Sequence, residues 1–134
     1  MRSLWCAALL AACAEPAEAP PPGPWMRPGL VGEMSAAYFT VPNAGSDTLR
    51  LTGVEIDAAA HASFHRTIDS AGTARMVAQD TIAIAPRDSA VLAPRGLHVM
   101  AHGLRVPLAA GDTVVIRVFT SRRDTLLVRA AVRE

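Results

Sequence analysis

The chain has 134 residues, 51% of them hydrophobic, and a formal net charge of +1. That length suits one domain and is short for two, and the apolar share is enough for a packed core. Near-neutral charge, with no basic block and no aromatic residues interleaved among basic ones, argues against a nucleic-acid binder. The use of Arg for every basic residue is a compositional habit rather than a site.

In chain order, the first residues set the compartment. MRSLWCAALLAAC places one positive charge at Arg2 ahead of an apolar run too short to span a bilayer. Leu10-Ala11-Ala12-Cys13 resembles the bacterial lipobox, in which cleavage precedes the Cys and that Cys is then acylated. Residues 1–12 therefore read as a lipoprotein signal peptide and Cys13 as a lipidation site, which puts the protein in the bacterial cell envelope, facing the periplasm. Cys6 leaves with the signal and Cys13 is capped, so the mature domain is expected to have neither a free thiol nor a disulfide. Residues 13–30 are dominated by Pro, Ala and Gly and read as an extended linker, with Trp25 and Met26 docking on the edge of the domain that follows.

Residues 31–134 read as a run of short strands. Ser35–Pro42 is rich in aromatic and β-branched residues, and Asn43–Asp47 is a turn cluster. Thr48–Ile56 alternates apolar and polar. Ala60–Thr67 and Thr73–Gln79 flank Asp69-Ser70-Ala71-Gly72 as a β-hairpin. Thr81–Ile84, Ser89–Leu92 and Gly96–His102 follow. Thr113–Thr120 and Thr125–Val132 form a closing hairpin. Strands at this spacing, without a convincing helix, predict an all-β sandwich or barrel.

The residues that carry chemistry are His and Met. His98 and Met100 are two apart in an extended segment and so project from one face. Upstream, His65 is followed by ten residues and Met76, and a further twenty-one lead to His98, giving His-x10-Met-x21-His-x-Met. With the turn centred on Ser70-Ala71, His65 and Met76 are expected directly opposite each other, with Cβ atoms about 4.5–5.5 Å apart. Thioethers are soft ligands that suit Cu(I), and imidazole also binds copper. The Asp residues at 47, 69, 88, 112 and 124 all fall in predicted turns, where Asp is a turn former, so they suggest no catalysis.

This pattern resembles the periplasmic copper chaperone family called PCu(A)C. The likeness extends to Ala36-Ala37-Tyr38-Phe39-Thr40-Val41-Pro42-Asn43, to Ser70-Ala71-Gly72, to Pro94-Arg95-Gly96-Leu97-His98-Val99-Met100 with Gly103-Leu104, and to Leu108-Ala109-Ala110-Gly111-Asp112. It implies a cupredoxin-like Greek-key β-sandwich or barrel. It also implies a Cu(I) site made by His65, Met76, His98 and Met100, and a non-enzymatic role.

In that role a monomer would deliver Cu(I) by ligand exchange to the dinuclear copper centre of a haem-copper oxidase subunit, beside a thiol-redox copper protein. His102 and His61 share strand parity with the ligands and are auxiliary candidates, His61 more simply a surface residue. The family usually has an apolar residue near position 102, so His102 is a departure. Some members carry a C-terminal His/Met-rich extension; this chain ends in VRE, and a second site built on such a tail is not expected. Two rival readings use the same residues differently: copper sequestration or tolerance, and a metal-free interaction module. A blue-copper electron carrier would need a Cys thiolate that the mature domain lacks.

Overall fold

Alternation of apolar and polar residues decides where the strands face. In a computed structural model describing residues 23–134, the elements are β1 (Trp25–Met26), β2 (Ser35–Tyr38), β3 (Thr40–Pro42), β4 (Leu49–Ile56), β5 (Ala59–Ser70), β6 (Thr73–Gln79), β7 (Ile82–Ile84), β8 (Ser89–Val91), β9 (Leu97–Leu104), β10 (Thr113–Thr120) and β11 (Thr125–Val132). The expected signal peptide, the expected lipidation site Cys13 and the head of the expected linker lie outside the described residues. The all-β sandwich class expected from the sequence is the class observed.

Nine strands form one hydrogen-bonded ladder in the order β6-β5-β9-β2-β1-β11-β10-β4-β7, and β3 pairs with β8 in a second, small sheet. Every pairing is antiparallel except that of β1 with β11. Strands β4 and β5 are far apart in that order yet joined only through Asp57 and Ala58, so the ladder must curl back on itself. The curl encloses one core that includes Val54, Ile56, Phe64, Val99, Ile116 and Val118. Each such side chain contributes about 1.5–3 kcal/mol by leaving water.

Strand β4 keeps its apolar residues inward by changing parity. Leu51 pairs with Thr120 while Gly53 pairs with Phe119, so one extra residue sits on β4 at this point. This bulge lets Leu49 and Leu51 face the core on one side of it and Val54 and Ile56 on the other.

Two strand expectations need correcting. Ser35–Pro42 is not one strand. The chain changes sheets at Phe39, whose carbonyl accepts from Leu92 N at 2.9 Å, so β2 joins the large ladder and β3 the small one. Trp25 and Met26, read as linker residues at the domain's edge, form a strand inside the ladder between β2 and β11, and Met26 is fully buried. The sheet therefore includes residues ahead of the expected boundary at 31. A two-residue strand between Pro24 and Pro28 shows no periodicity to read.

Candidate metal centre

Strand β9 lies between β5 and β2, and its alternation sorts its side chains. Val99 and Ala101 face the core, opposite Phe64 and Ala62 of β5. His98, Met100 and His102 therefore project from the other face. The β5 residues opposite them are His65, Ser63 and His61 respectively. The four histidines of the chain thus lie in two cross-strand pairs, His65–His98 and His61–His102, with Ser63 and Met100 between them.

The first pair is enclosed. His98 is 3% exposed and its ring lies 6.1 Å from that of His65, nearly parallel at 28°. Its Nδ1 is 2.9 Å from the Gly96 carbonyl oxygen. A carbonyl only accepts, so Nδ1 carries the proton and Nε2 presents a lone pair. That Nε2 is buried and has no hydrogen-bond partner. The other unpartnered buried side-chain atom among the described residues is His65 Nδ1. The opposite nitrogen of His65, Nε2, lies 2.9 Å from Ser63 Oγ, and Ser63 Oγ lies 3.3 Å from His102 Nε2. Burial pushes the His65 imidazole below its ordinary pKa, and the neighbouring charges of His98 and His102 act in the same direction.

Met100 is 8% exposed. Small residues oppose it on both sides, Ser63 on β5 and Ala36 on β2, which leaves room for a long thioether. It packs with Ala36, Tyr38 and Trp25. The Trp25 and Tyr38 rings lie 4.6 Å apart, and Tyr38 is 6.4 Å from His98. Two guanidiniums cover Trp25, Arg133 at 4.4 Å and Arg27 at 5.6 Å, and Arg27 Nε donates to Tyr38 Oη at 3.1 Å. Sequence reasoning did not single out this aromatic wall or the Gly96 carbonyl. The one available signal for the carbonyl was a glycine two residues before a histidine.

Met76 is placed differently from the expectation. The hairpin turns at Ala71 and Gly72, with φ of 52° and 80°, as a two-residue turn needs, and Ser70 pairs with Thr73. His65 consequently faces Ala78, and Met76 faces Thr67. The ladder has slid by two residues, not one, so Met76 keeps the parity of His65 and stays on its face. It becomes a diagonal neighbour, at a separation of about 7–8 Å that long side chains can still bridge. Met76 is 57% exposed, on the end strand of the ladder.

His61 is exposed, and lines a cleft with Asp57, Arg105 and Arg117. His102 is partly buried and tied to Ser63. Among the described residues, His, Cys, Asp and Glu side chains form no group of three that could hold a metal. What the face offers is two buried imidazole nitrogens without partners and two thioethers, a donor set that fits a soft monovalent ion.

Known proteins match this chain over nearly all of the described residues. The family described as "Putative lipoprotein LpqE-like" matches residues 21–132. A curated relative, "Putative lipoprotein Lxx21020" of Leifsonia xyli subsp. xyli (strain CTCB07), is 32% identical over 111 residues. The match covers 82% of this chain and 66% of that relative, just under two thirds of its length. The copper-bound PCuAC domain from PmoF2 is similar in structure, with a TM-score of 0.67 and 25% identity over 82% of this chain and 87% of that one. The solution structure of CuI-DR1885 from Deinococcus radiodurans gives a TM-score of 0.60 and 30% identity, over 87% of this chain and 81% of that one.

Proposed function

This chain belongs to the LpqE-like family and bears out the PCu(A)C resemblance of its sequence, and on that premise we propose that it carries Cu(I) in the bacterial cell envelope as a metallochaperone. His65 Nδ1, His98 Nε2 and the sulfurs of Met76 and Met100 hold the ion as cargo. The observation that carries this reading is the pair of buried nitrogens without partners on adjacent strands. A buried, unpaired polar atom costs about 1–3 kcal/mol, and a bound cation would offset that cost at both atoms. Copper in a solved structure similar to this chain supports the choice of metal.

Release follows from the two thioether positions. Met100 is packed and Met76 is open at the end strand. An acceptor's ligands enter beside Met76 and displace it first, and His98 and Met100 let go last. Thioethers are neutral, weak donors and yield to thiolates. Ligand exchange makes no covalent change in a substrate, so the role is not enzymatic. The acceptor is the dinuclear copper centre of a haem-copper oxidase subunit, with a thiol-redox copper protein keeping its thiols reduced. Acylation of Cys13 would hold this monomer at the membrane.

An anaerobic Cu(I) titration against a colorimetric chelator tests the site, with Met76→Ala and His98→Ala alongside. One equivalent bound, weakened in both variants, is expected; no competition with the chelator would sink the reading. Incubation of the loaded protein with the apo oxidase subunit then tests delivery. Copper that stays on the donor would point to sequestration.

A further inference from the structure

The Ser63 hydroxyl sits between two imidazoles, and it has one proton. Its Oγ is 2.9 Å from His65 Nε2 and 3.3 Å from His102 Nε2. It can donate to at most one of them and has lone pairs for either. These two nitrogens are its only hydrogen-bond partners among the described residues, so its proton goes to one and it accepts from the other. If Ser63 donated to His65, the His65 proton would sit on Nδ1, which is buried without an acceptor. A stranded buried donor is the costly arrangement. If Ser63 donates to His102 Nε2 instead, His65 Nε2–H donates to Ser63 Oγ, and Nδ1 keeps a bare lone pair.

We propose that Ser63 and His102 are positioning residues that hold His65 in the tautomer protonated at Nε2, so that Nδ1 is offered to the copper ion. The proposal rests on the Cu(I) reading for its purpose, but the proton order stands on the apo geometry. It makes the two ligand histidines complementary. The Gly96 carbonyl fixes the proton of His98 on Nδ1, and the Ser63–His102 pair fixes that of His65 on Nε2. One ring then presents Nε2 and the other Nδ1. The site would be preset before metal arrives, and His102 would act without touching the ion.

The tautomers of the apo protein can be read by long-range ¹H–¹⁵N correlation of the imidazoles at a pH where all are neutral. The expected result is His65 protonated at Nε2 and His102 at Nδ1. Ser63→Ala and His102→Leu should each turn His65 into a tautomer mixture and weaken Cu(I) about tenfold, while Ser63→Thr, which keeps the hydroxyl, restores both readings. His65 protonated at Nδ1 in the unaltered protein would overturn the proposal. So would an unchanged tautomer and affinity in both variants. Failure of the unaltered protein to bind Cu(I) would instead remove the chaperone reading, with the proton order still decided by the spectrum.

Discussion

The two thioethers of the candidate site differ in nearly everything except chemistry. Met100 is on a strand with partners on both sides, is 8% exposed, and packs against Tyr38 and Trp25. Met76 is on the end strand of the ladder, past a hairpin turn, and is 57% exposed. One half of the site is built by the sheet, and the other is left open to solvent. A storage site gains by enclosing all its ligands, whereas a donor site gains from one ligand that a partner can displace.

The sharpest break of this contrast is His98→Ala. Removing the enclosed imidazole should lower Cu(I) affinity by about a hundredfold, as read by chelator competition, because it takes away one of the two buried, unpartnered nitrogens. A loss equal to that of Met76→Ala would mean that the halves do not differ. Met100→Ala should cost about tenfold in affinity and also about 2 kcal/mol of stability in urea unfolding, since a packed side chain is lost. Met76→Ala should give a similar or smaller affinity loss with the unfolding midpoint unmoved, since its side chain is largely in water already. A destabilised Met76→Ala protein would show that the open half is structural.

The smallest effect is that of pH on the apo protein. The depressed pKa of His65 means that the folded state resists its protonation. The unfolded chain takes up that proton near the ordinary value of about 6.5. The contribution to stability is therefore fully present above that value and is lost as pH falls through it towards the folded pKa. Thermal midpoints should drop across this window, and His65→Gln should flatten the drop. The same depression moves proton competition at His65 to lower pH than an ordinary imidazole would show, so a Cu(I) ion held there should be lost only at lower pH. A midpoint equally pH-dependent in His65→Gln would assign the effect to other groups.

Much of the fold was legible from local pattern. The stretches TVVIRVFT and TLLVRAAV are rich in β-branched and apolar residues and pair from Thr113 opposite Ala131 to Phe119 opposite Thr125. His98 and Met100 share a face because strand parity leaves no other choice. What was not legible depends on distant partners or on turn geometry. The choice between a turn at Ser70-Ala71 and one at Ala71-Gly72 moves Met76 by two positions, and positive φ at both turn residues decides it. The pairing of His65 with His98 joins β5 to β9 across more than thirty residues of chain, and no spacing rule reaches that far. The contact of Ser63 with His102 depends on the same long-range pairing. Trp25 and Met26 stayed hidden because the ladder, and not their neighbours in sequence, makes them a strand.

That short strand also determines how the molecule bears mechanical load. In the ladder, β1 alone joins the half carrying the histidines, β6-β5-β9-β2, to the half formed by β11-β10-β4-β7. Beside its two-residue pairings with β2 and β11, it is held at its ends by backbone bonds from Ala131 N to Pro24 O, Arg133 N to Met26 O and Arg27 N to Ala36 O, each 3.0 Å. Tension in the chain ahead of Trp25 is therefore taken up first at the seam between the half-sheets. A pull strong enough to peel β1 away would strip Trp25 from beside Met100 before it strained β5 or β9, the strands that carry His65 and His98.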